Sequence, residues 1–141
     1  MDNIEVGIIM GSDSDLPVMQ KAADVLTDFG VGYFMTVASA HRTPERVTAL
    51  ARRAEQEDWK VWIAGAGMAA HLAGFLAAHT ALPVIGVPMD SSSLRGLDAL
   101  LSTVQMPGGE TIFDTSPQRE WSAPPRPRFL IGPRLVVRFE C

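Results

Sequence analysis

Four short apolar runs typical of buried strands recur along the chain, and a segment with helical periodicity follows each of them. The runs are VGIIM at residues 6–10, YFMTVA at 33–38, VWIAG at 61–65 and PVIGVP at 83–88. Strands that alternate with helices pair in parallel, because each helix carries the chain back across the sheet before the next strand. The order therefore predicts an α/β fold.

The helical segments have recognisable ends. Pro17 suits the first turn of the first helix and Gly30 its end, and Thr43 suits the N-cap of the second helix with Pro44 directly after it. The apolar positions are Val18, Ala22, Val25, Leu26 and Phe29 in the first helix and Val47, Leu50, Ala51 and Ala54 in the second. An alanine- and glycine-rich third helix is predicted within residues 66–80. A fourth helix is predicted from Leu94, Leu97, Leu101 and Val104.

The length of 141 residues, with 47% hydrophobic and 20% charged residues, is that of one ordinary globular domain. No run approaches the roughly 18 apolar residues of a membrane-spanning helix, and the first residues lack the pattern of a secretion signal. Cys141 is the only cysteine, which excludes an internal disulfide and a thiolate metal cluster. We therefore expect a soluble cytoplasmic protein that does not contact a membrane.

The formal net charge of −4 is unevenly distributed. From Glu110 onward five arginines stand against four acidic residues, so the preceding part of the chain carries the negative charge. A negative body repels the phosphate backbone of DNA or RNA. Nucleic acid is therefore not expected as a partner.

Small polar residues collect where each predicted strand gives way to a helix. The four junctions are GSDSD at residues 11–15, SAHRTP at 39–44, GAGMAAH at 65–71 and PMDSSS at 88–93. In a parallel sheet these junctions share one edge, where open α/β folds bind small ligands. Glycines and hydroxyls beside helix N-termini favour a phosphate, and the planar guanidinium of Arg42 suits a phosphate or a carboxylate.

Two of these junctions also have interpretations without a ligand of this kind. Residues 12–15 can act simply as a cap for the first helix. Gly65 and Gly67 do not complete a dinucleotide fingerprint, since Ala70 stands in the place of its last glycine. No acidic residue ends a second strand where one would bind a ribose, so a dinucleotide site has little support.

The three histidines differ in what their positions indicate. His41 follows a strand, precedes a capped helix and has no place in an apolar pattern, so function explains it as well as structure does. His71 suits either a functional role or a buried, hydrogen-bonded position, and His79 suits the C-terminus of a helix. None of the histidine spacings matches a common metal motif such as H-E-x-x-H.

Five motifs, taken together, closely resemble the PurE family, the 5-(carboxyamino)imidazole ribonucleotide mutases of purine biosynthesis. They are GSDSD, SAHRTP, AGAGMAAHLAG, LPVIGVP and VQMPGG, in the family's order and spacing within residues 6–109. The segment GAGMAAHLAG is similar to the mutases rather than to the related carboxylases that take free carbon dioxide. The resemblance implies a three-layer α/β/α fold with a flavodoxin-like parallel sheet, an octameric assembly, and an active site shared between subunits.

The resemblance also implies a substrate and a set of site residues. The substrate is an aminoimidazole ribonucleotide whose carboxylate moves from the exocyclic nitrogen to ring carbon 4, with no cofactor and no metal. His41 matches the catalytic histidine and His71 a second active-site position. The substrate-binding positions are matched by Ser12, Asp15, Ser39, Ala40, Arg42, Gly65 and Gly67.

The implied chemistry suits these residue types. An imidazole can first give a proton to the nitrogen and later remove one from the carbon, and Arg42 can anchor anionic parts of the ligand. We expect the phosphate beside Ser12, where a hydroxyl and a helix N-terminus meet, and the ribose hydroxyls on Asp15.

The sequence changes character after Gly109. The family continues there with a strand, a glycine-rich loop and a long helix, whereas this chain has five prolines within residues 116–134. We predict a PurE-like domain at residues 1–109 and a poorly ordered tail at 110–141 that does not replace the missing elements, although RLVVRF at 134–139 suits a short strand. A shifted reading frame in a GC-rich gene would produce such a change.

The divergent tail leaves alternatives to a working mutase. Loss of the final strand and helix predicts weak activity and an assembly smaller than an octamer, because apolar surface stays exposed. A silent ribonucleotide-binding module and a carboxylase that uses free carbon dioxide are the competing interpretations.

Overall fold

The computed structural model describes residues 3–105 and 112–114. Its strands and α-helices are, in chain order, β1 Ile4–Met10, α1 Leu16–Asp28, β2 Gly32–Val37, α2 Pro44–Gln56, β3 Val61–Gly67, α3 Leu72–Ala77, β4 Val84–Met89, α4 Leu97–Val104 and β5 Ile112–Asp114. The four predicted strands and four predicted helices are confirmed in order, with different bounds. None of the helices in this described part combines the length and apolar character needed to cross a membrane.

The strands form one parallel sheet in the order β2-β1-β3-β4-β5. The chain moves from β1 to one edge of the sheet and afterwards only toward the other edge, so its direction reverses between β1 and β3. This is the flavodoxin-like order, and the reversal leaves a crevice outside the carboxyl ends of those two strands. The predicted parallel α/β fold is therefore confirmed.

Helices cover both faces of the sheet, which gives the predicted three layers. On one face, Ile8 of β1 packs in a core with Met19 and Ala23 of α1. On the other face, Ile9 packs in a second core, to which α2 and α3 contribute Val47, Leu50, Ala51, Ala54, Leu72, Ala73 and Leu76. Neighbouring residues of β1 enter opposite cores because side chains along a strand alternate between its two faces.

The buried face was predicted correctly for α2 and only in part for α1, where the predicted positions Ala22 and Leu26 are half-buried against the core. All four predicted apolar positions of α2 are buried. The buried residues of α1 are Met19 and Ala23, whereas Val18 and Val25 are exposed and Phe29, just past the end of the helix, is 77% exposed. The inner face of α1 thus combines Met19 and Ala23 with Ala22 and Leu26, and it excludes Val18 and Val25.

Two helices begin later than predicted because of left-handed backbone positions. Arg95 and Gly96 have φ of 51° and 81°, so α4 starts at Leu97 and Leu94 lies in the preceding loop. β3 continues to Gly67, and Met68 follows it with φ of 54°, so a loop precedes α3, which starts at Leu72.

The inner face of α4 also differs from the prediction. Ala99 and Thr103 are buried, whereas Leu97 and Leu101 are 54% and 43% exposed. His79, by contrast, lies just past α3 as predicted, with its Nδ1 2.8 Å from the Phe75 carbonyl oxygen.

β5 lies beyond the predicted boundary at Gly109 and pairs in parallel with β4, with Ile112 opposite Val84. The prediction that the segment after Gly109 supplies no such strand is therefore wrong. The division at Gly109 itself stays a prediction. The predicted strand at 134–139, and the rest of the tail apart from β5, lie outside the described residues.

Candidate active site

The four polar junctions lie at one edge of the sheet because the strands that precede them run in parallel. Two backbone hydrogen bonds connect the bases of the first three. The Gly11 N–H donates to the Gly65 carbonyl over 3.0 Å, and the Ala38 N–H donates to the Met10 carbonyl over 2.9 Å. The site is thus built directly on the ends of the sheet's hydrogen-bond ladder.

Ser39 organises the junction after β2. Its Oγ accepts hydrogen bonds from the backbone N–H groups of His41, at 3.3 Å, and Arg42, at 3.2 Å. The hydroxyl of Thr43 accepts from the Ser39 N–H and donates to the Ser39 carbonyl, at 3.1 Å each. Thr43 is the N-cap of α2 as predicted, but its side chain stabilises this loop and makes no capping hydrogen bond to the helix.

The structure therefore gives Ser39 a positioning role, because its hydroxyl fixes the backbone that presents His41. Ala40, the other predicted binding residue of this loop, is half-buried and packs against the core on the α2 side. Direct contact of either residue with a substrate stays a prediction.

His41 and His71 meet across the crevice. His41 Nε2 lies 2.7 Å from His71 Nδ1, and the two rings are nearly perpendicular, with their centroids 4.8 Å apart and an interplanar angle of 88°. Both residues are exposed, so the interpretation of His71 as a buried core histidine is wrong. Two side chains that are 30 positions apart in sequence thus form one hydrogen-bonded unit.

The histidine pair can hold and transfer a proton. Only one hydrogen fits between the two facing nitrogens, so one ring donates and the other accepts. The outer nitrogens, His41 Nδ1 and His71 Nε2, are then left to exchange a proton with a ligand. A proton gained at one outer nitrogen can be matched by a shift of the shared hydrogen and release at the other.

The loop before His71 places that ring by its backbone. Met68 adopts a left-handed conformation that non-glycine residues seldom take, and the His71 N–H donates to the Ala69 carbonyl over 2.8 Å. His71 occupies the N-cap position of α3 but makes no side-chain capping bond. The His71 ring therefore hydrogen-bonds to His41 and does not cap the helix.

Ser12 caps the turn after β1. Its Oγ accepts hydrogen bonds from the backbone N–H of Ser14 at 3.3 Å and from the Ser14 hydroxyl at 2.9 Å, and residues 13–15 form one 3-10 turn. Ser12 therefore caps this turn and not α1, whose N-cap residue Asp15 makes no side-chain capping hydrogen bond. The predicted phosphate contact would have to share or replace these local hydrogen bonds.

Asp15 is the last residue of the same turn and is only 6% exposed. Burial raises the pKa of its carboxyl above the ordinary value of 3.8, and the nearby charge of Asp13 raises it further, against a lowering hydrogen bond from the Ser12 backbone. A carboxyl kept in this environment at a ligand-facing edge is typical of a functional site.

Arg42 carries an exposed guanidinium beside His41. Within residues 3–105 and 112–114, that guanidinium makes no hydrogen bond or ion pair with another side chain, whereas Arg46 donates to the Thr36 hydroxyl over 2.9 Å. Arg42 is thus the cation of this junction that can bind an anionic ligand.

The two predicted binding glycines differ in position. Gly65 is buried within β3, where an added Cβ would lie 2.5 Å from Met89 Cε and 2.6 Å from Met19 Sδ. Its carbonyl already accepts from Gly11. Gly65 therefore has a packing role beneath the site, whereas Gly67 ends β3 at the rim and can face a ligand.

Among residues 3–105 and 112–114, no three His, Cys, Asp or Glu side chains are grouped closely enough to hold a metal ion. An open depression of about 360 Å³ lies along α2, lined by Pro44, Glu45, Thr48, Ala49 and Arg52. It contains neither histidine, so we place the candidate site at the crevice and not in this depression.

Comparison with known proteins gives a family match over most of the chain. The AIR carboxylase family matches residues 5–116. N5-carboxyaminoimidazole ribonucleotide mutase of Thermotoga maritima is 62% identical over 107 residues, which are 76% of this chain and 63% of that protein. Phosphoribosylaminoimidazole carboxylase of Saccharomyces cerevisiae is also 62% identical over 107 residues, which are 76% of this chain but only 19% of that protein.

A solved structure confirms the fold. PurE of Treponema denticola superimposes with a TM-score of 0.72 at 34% identity, over 77% of this chain and 69% of that one. The chain spans about three fifths of the length of the first mutase relatives, 63% of the Thermotoga maritima protein and 59% of its Pyrococcus horikoshii counterpart.

Proposed function

Because this chain belongs to the AIR carboxylase family, the PurE family that its motifs resemble, we propose that it is a 5-(carboxyamino)imidazole ribonucleotide mutase. The proposed reaction moves the carboxylate from the exocyclic nitrogen to carbon 4 of the imidazole ring. The observation that carries this proposal is the hydrogen-bonded pair of His41 and His71 at the crevice, beside the exposed guanidinium of Arg42.

The proton balance of the reaction suits this pair. When the bond between the exocyclic nitrogen and the carboxyl carbon breaks, its electrons stay on nitrogen, which takes a proton and releases carbon dioxide. Carbon 4 then attacks the carbon dioxide and loses its own hydrogen as a proton. The pair gives one proton and receives one, through His41 Nδ1 or His71 Nε2, and ends each cycle as it began.

The other residues of the edge bind and orient the ligand. Arg42 would form charge-assisted hydrogen bonds with an anionic group, the phosphate would lie near Ser12 at the turn before α1, and Asp15 would accept from the ribose hydroxyls. Holding the freed carbon dioxide close to carbon 4 needs an enclosed space, which the Gly67 loop can help to form.

Substitution of histidines inside and outside the pair tests the proposal. His41→Asn should abolish isomerisation while affinity for the ribonucleotide stays within roughly tenfold, because binding and proton transfer use different groups. His79→Asn is the matched control, since His79 lies past α3 and bonds to Phe75. Near-normal turnover by folded His41→Asn would overturn the assignment.

Arg42→Ala should show the opposite pattern, with weakened binding. Loss of a charge-assisted hydrogen bond predicts roughly ten- to hundredfold lower affinity for the ribonucleotide, measured by calorimetry. Arg52→Ala, on the outer face of α2, is the control for removal of an exposed arginine. Equal affinities of the two variants would exclude Arg42 as the anion anchor.

A direct carboxylase is the second candidate, since the carboxylase of Saccharomyces cerevisiae shares the same identity as the mutase relative. The two reactions differ in their starting material. Turnover of the carboxyamino ribonucleotide supports the mutase, whereas turnover only of the unsubstituted ribonucleotide with dissolved carbon dioxide supports the carboxylase. Binding of the ribonucleotides without either turnover supports the silent binding module.

We further propose that the protein is cytoplasmic and that it self-associates. The single cysteine supports the compartment, because cytosolic proteins rarely contain disulfides. Exposed apolar side chains support association: Met68 and Leu94 are each 58% exposed and Phe29 is 77% exposed. The resemblance implies an octamer, whereas the divergent tail favours a smaller assembly. Light scattering of the purified chain distinguishes these sizes.

A further inference from the structure

The junction after β4 supplied no predicted site residue, although it lies at the same edge as the histidine pair. Hydrogen bonds within the loop fix its conformation. The Ser92 hydroxyl donates to the Asp98 carboxylate, at 3.0 Å from each oxygen, and accepts from the Leu94 N–H at 3.2 Å. The Arg95 N–H donates to the Ser92 carbonyl over 3.1 Å. The loop is therefore fixed to the start of α4.

This loop holds Ser91 directly against Gly67. A Cβ added to Gly67 would overlap with the Ser91 hydroxyl oxygen and would lie 3.1 Å from Ser91 Cβ. The hydroxyl of Ser91 thus occupies the volume that a side chain at residue 67 would fill. Within the described residues it makes no hydrogen bond, and Ser91 is exposed, so its donor is available to a ligand.

The strand order decides which end of a ligand this hydroxyl can reach. β3 lies between β1 and β4, so Ser12 and Ser91 are on opposite sides of it, separated by about two strand spacings or roughly 10 Å. His71 lies on the same loop as Gly67, four residues further on. A ligand with its phosphate at Ser12 therefore presents its other, reacting end to His71 and Ser91.

We propose that the Ser91 hydroxyl donates a hydrogen bond to the migrating carboxylate of the ribonucleotide and so determines specificity for the carboxylated ligand. This assignment rests on the proposed function. A neutral donor suits the role, because it stabilises the carboxylate without holding it as strongly as a cation would when carbon dioxide must be released. Gly67 leaves this hydroxyl uncovered because it has no side chain.

Two ligands that differ only in the carboxylate test the role of Ser91. We expect Ser91→Ala to weaken binding of 4-carboxy-5-aminoimidazole ribonucleotide roughly tenfold or more, the effect of losing a hydrogen bond to a charged group. Binding of 5-aminoimidazole ribonucleotide, which lacks the carboxylate, should change less than about twofold. Ser93→Ala, in the same loop, is the matched control and should leave both affinities unchanged.

The contact with Gly67 supplies a second test that does not use Ser91→Ala alone. Gly67→Ala should weaken binding of the carboxylated ligand, because its methyl group displaces the Ser91 hydroxyl. Adding Ser91→Ala to Gly67→Ala should then cause little further loss, since the two changes remove the same interaction. Losses that simply multiply would contradict the inference.

Each remaining outcome is also decisive. Unchanged affinity of Ser91→Ala for the carboxylated ligand, or equal loss for both ligands, overturns the inference while the proposed function stands. Failure of the unaltered chain to bind either ribonucleotide refutes the proposed function and this assignment with it.

Discussion

Gly65 is a predicted substrate-binding residue that is buried in β3, and the variant Gly65→Ala distinguishes a role in core packing from a role in substrate binding. The new Cβ would lie 2.5 Å from Met89 Cε, and 2.6 Å and 3.2 Å from Met19 Sδ and Cε. These separations are well below contact distance, so both methionine side chains must move. Overpacking of a core costs about 1–3 kcal/mol, and the flexible ends of methionine place this case near 1–2 kcal/mol.

Urea unfolding of the chain and its variants measures this cost. Gly11→Ala is the matched control, because its Cβ would meet only Ala66 Cβ, at an ordinary 3.9 Å. That variant should be neutral or slightly stabilised, since alanine reduces the freedom of the unfolded chain. The predicted order of stability is therefore Gly11→Ala at or above the parent and Gly65→Ala below it.

A double variant shows whether the methionines are the cause. Met89→Ala is itself destabilising because Met89 is buried, but it removes the atom nearest to the new methyl group and leaves space for Met19 to move. Gly65→Ala should then cost at least about 1 kcal/mol less in the Met89→Ala background. An unchanged cost, or a stable Gly65→Ala that loses ribonucleotide affinity, would refute the packing explanation and favour the role in binding.

Three further predictions concern the loops and the assembly. Ser39→Ala should lower stability by about 1 kcal/mol and reduce kcat more than affinity, because the His41 backbone loses its acceptor; equal kcat would contradict this. Asp15→Asn should match the parent below the ordinary pKa of 3.8, gain stability relative to it as the pH rises from there to the raised pKa of the folded state, and keep a constant advantage at higher pH, because ionisation of Asp15 opposes folding; a pH-independent difference in urea midpoint would contradict this. Light scattering should show an assembly smaller than an octamer, and a substrate assay of the same chain should show weak turnover. An octamer with full turnover would refute the predicted effect of the tail.

The sequence was sufficient to predict the arrangement of strands and the edge that carries the site. Alternation of strand and helix patterns determines parallel pairing, and parallel pairing determines that the loops after β1, β2 and β3 meet. The contact between His41 and His71 could not be predicted, because it depends on loop geometry and on a left-handed residue at Met68. The same holds for Ser91, whose contact with Gly67 joins two loops 24 residues apart.

Helix faces were predictable only where all apolar residues lie on one side. α2 has its charged residues on the opposite face, so Val47 and Leu50 have one possible orientation. α1 has apolar residues around much of its circumference, so periodicity did not distinguish the inner residues Met19, Ala23 and Leu26 from the exposed Val18 and Val25. Phe29 fits the same helical periodicity and yet is exposed, so periodicity alone does not show which apolar residues face the sheet.

β5 shows why a change in composition is a poor guide to where a fold ends. The composition after Gly109 predicted a tail that does not replace the family's next strand, yet Ile112–Asp114 continues the sheet and the family match extends to residue 116. A short edge strand needs only a few residues with free backbone donors and extended geometry, and its ladder partner is already provided by β4. Proline removes a donor only at its own position, so the prolines from residue 117 onward do not prevent residues 112–114 from pairing with β4. The sheet and the family match therefore both extend past Gly109, although the composition changes there.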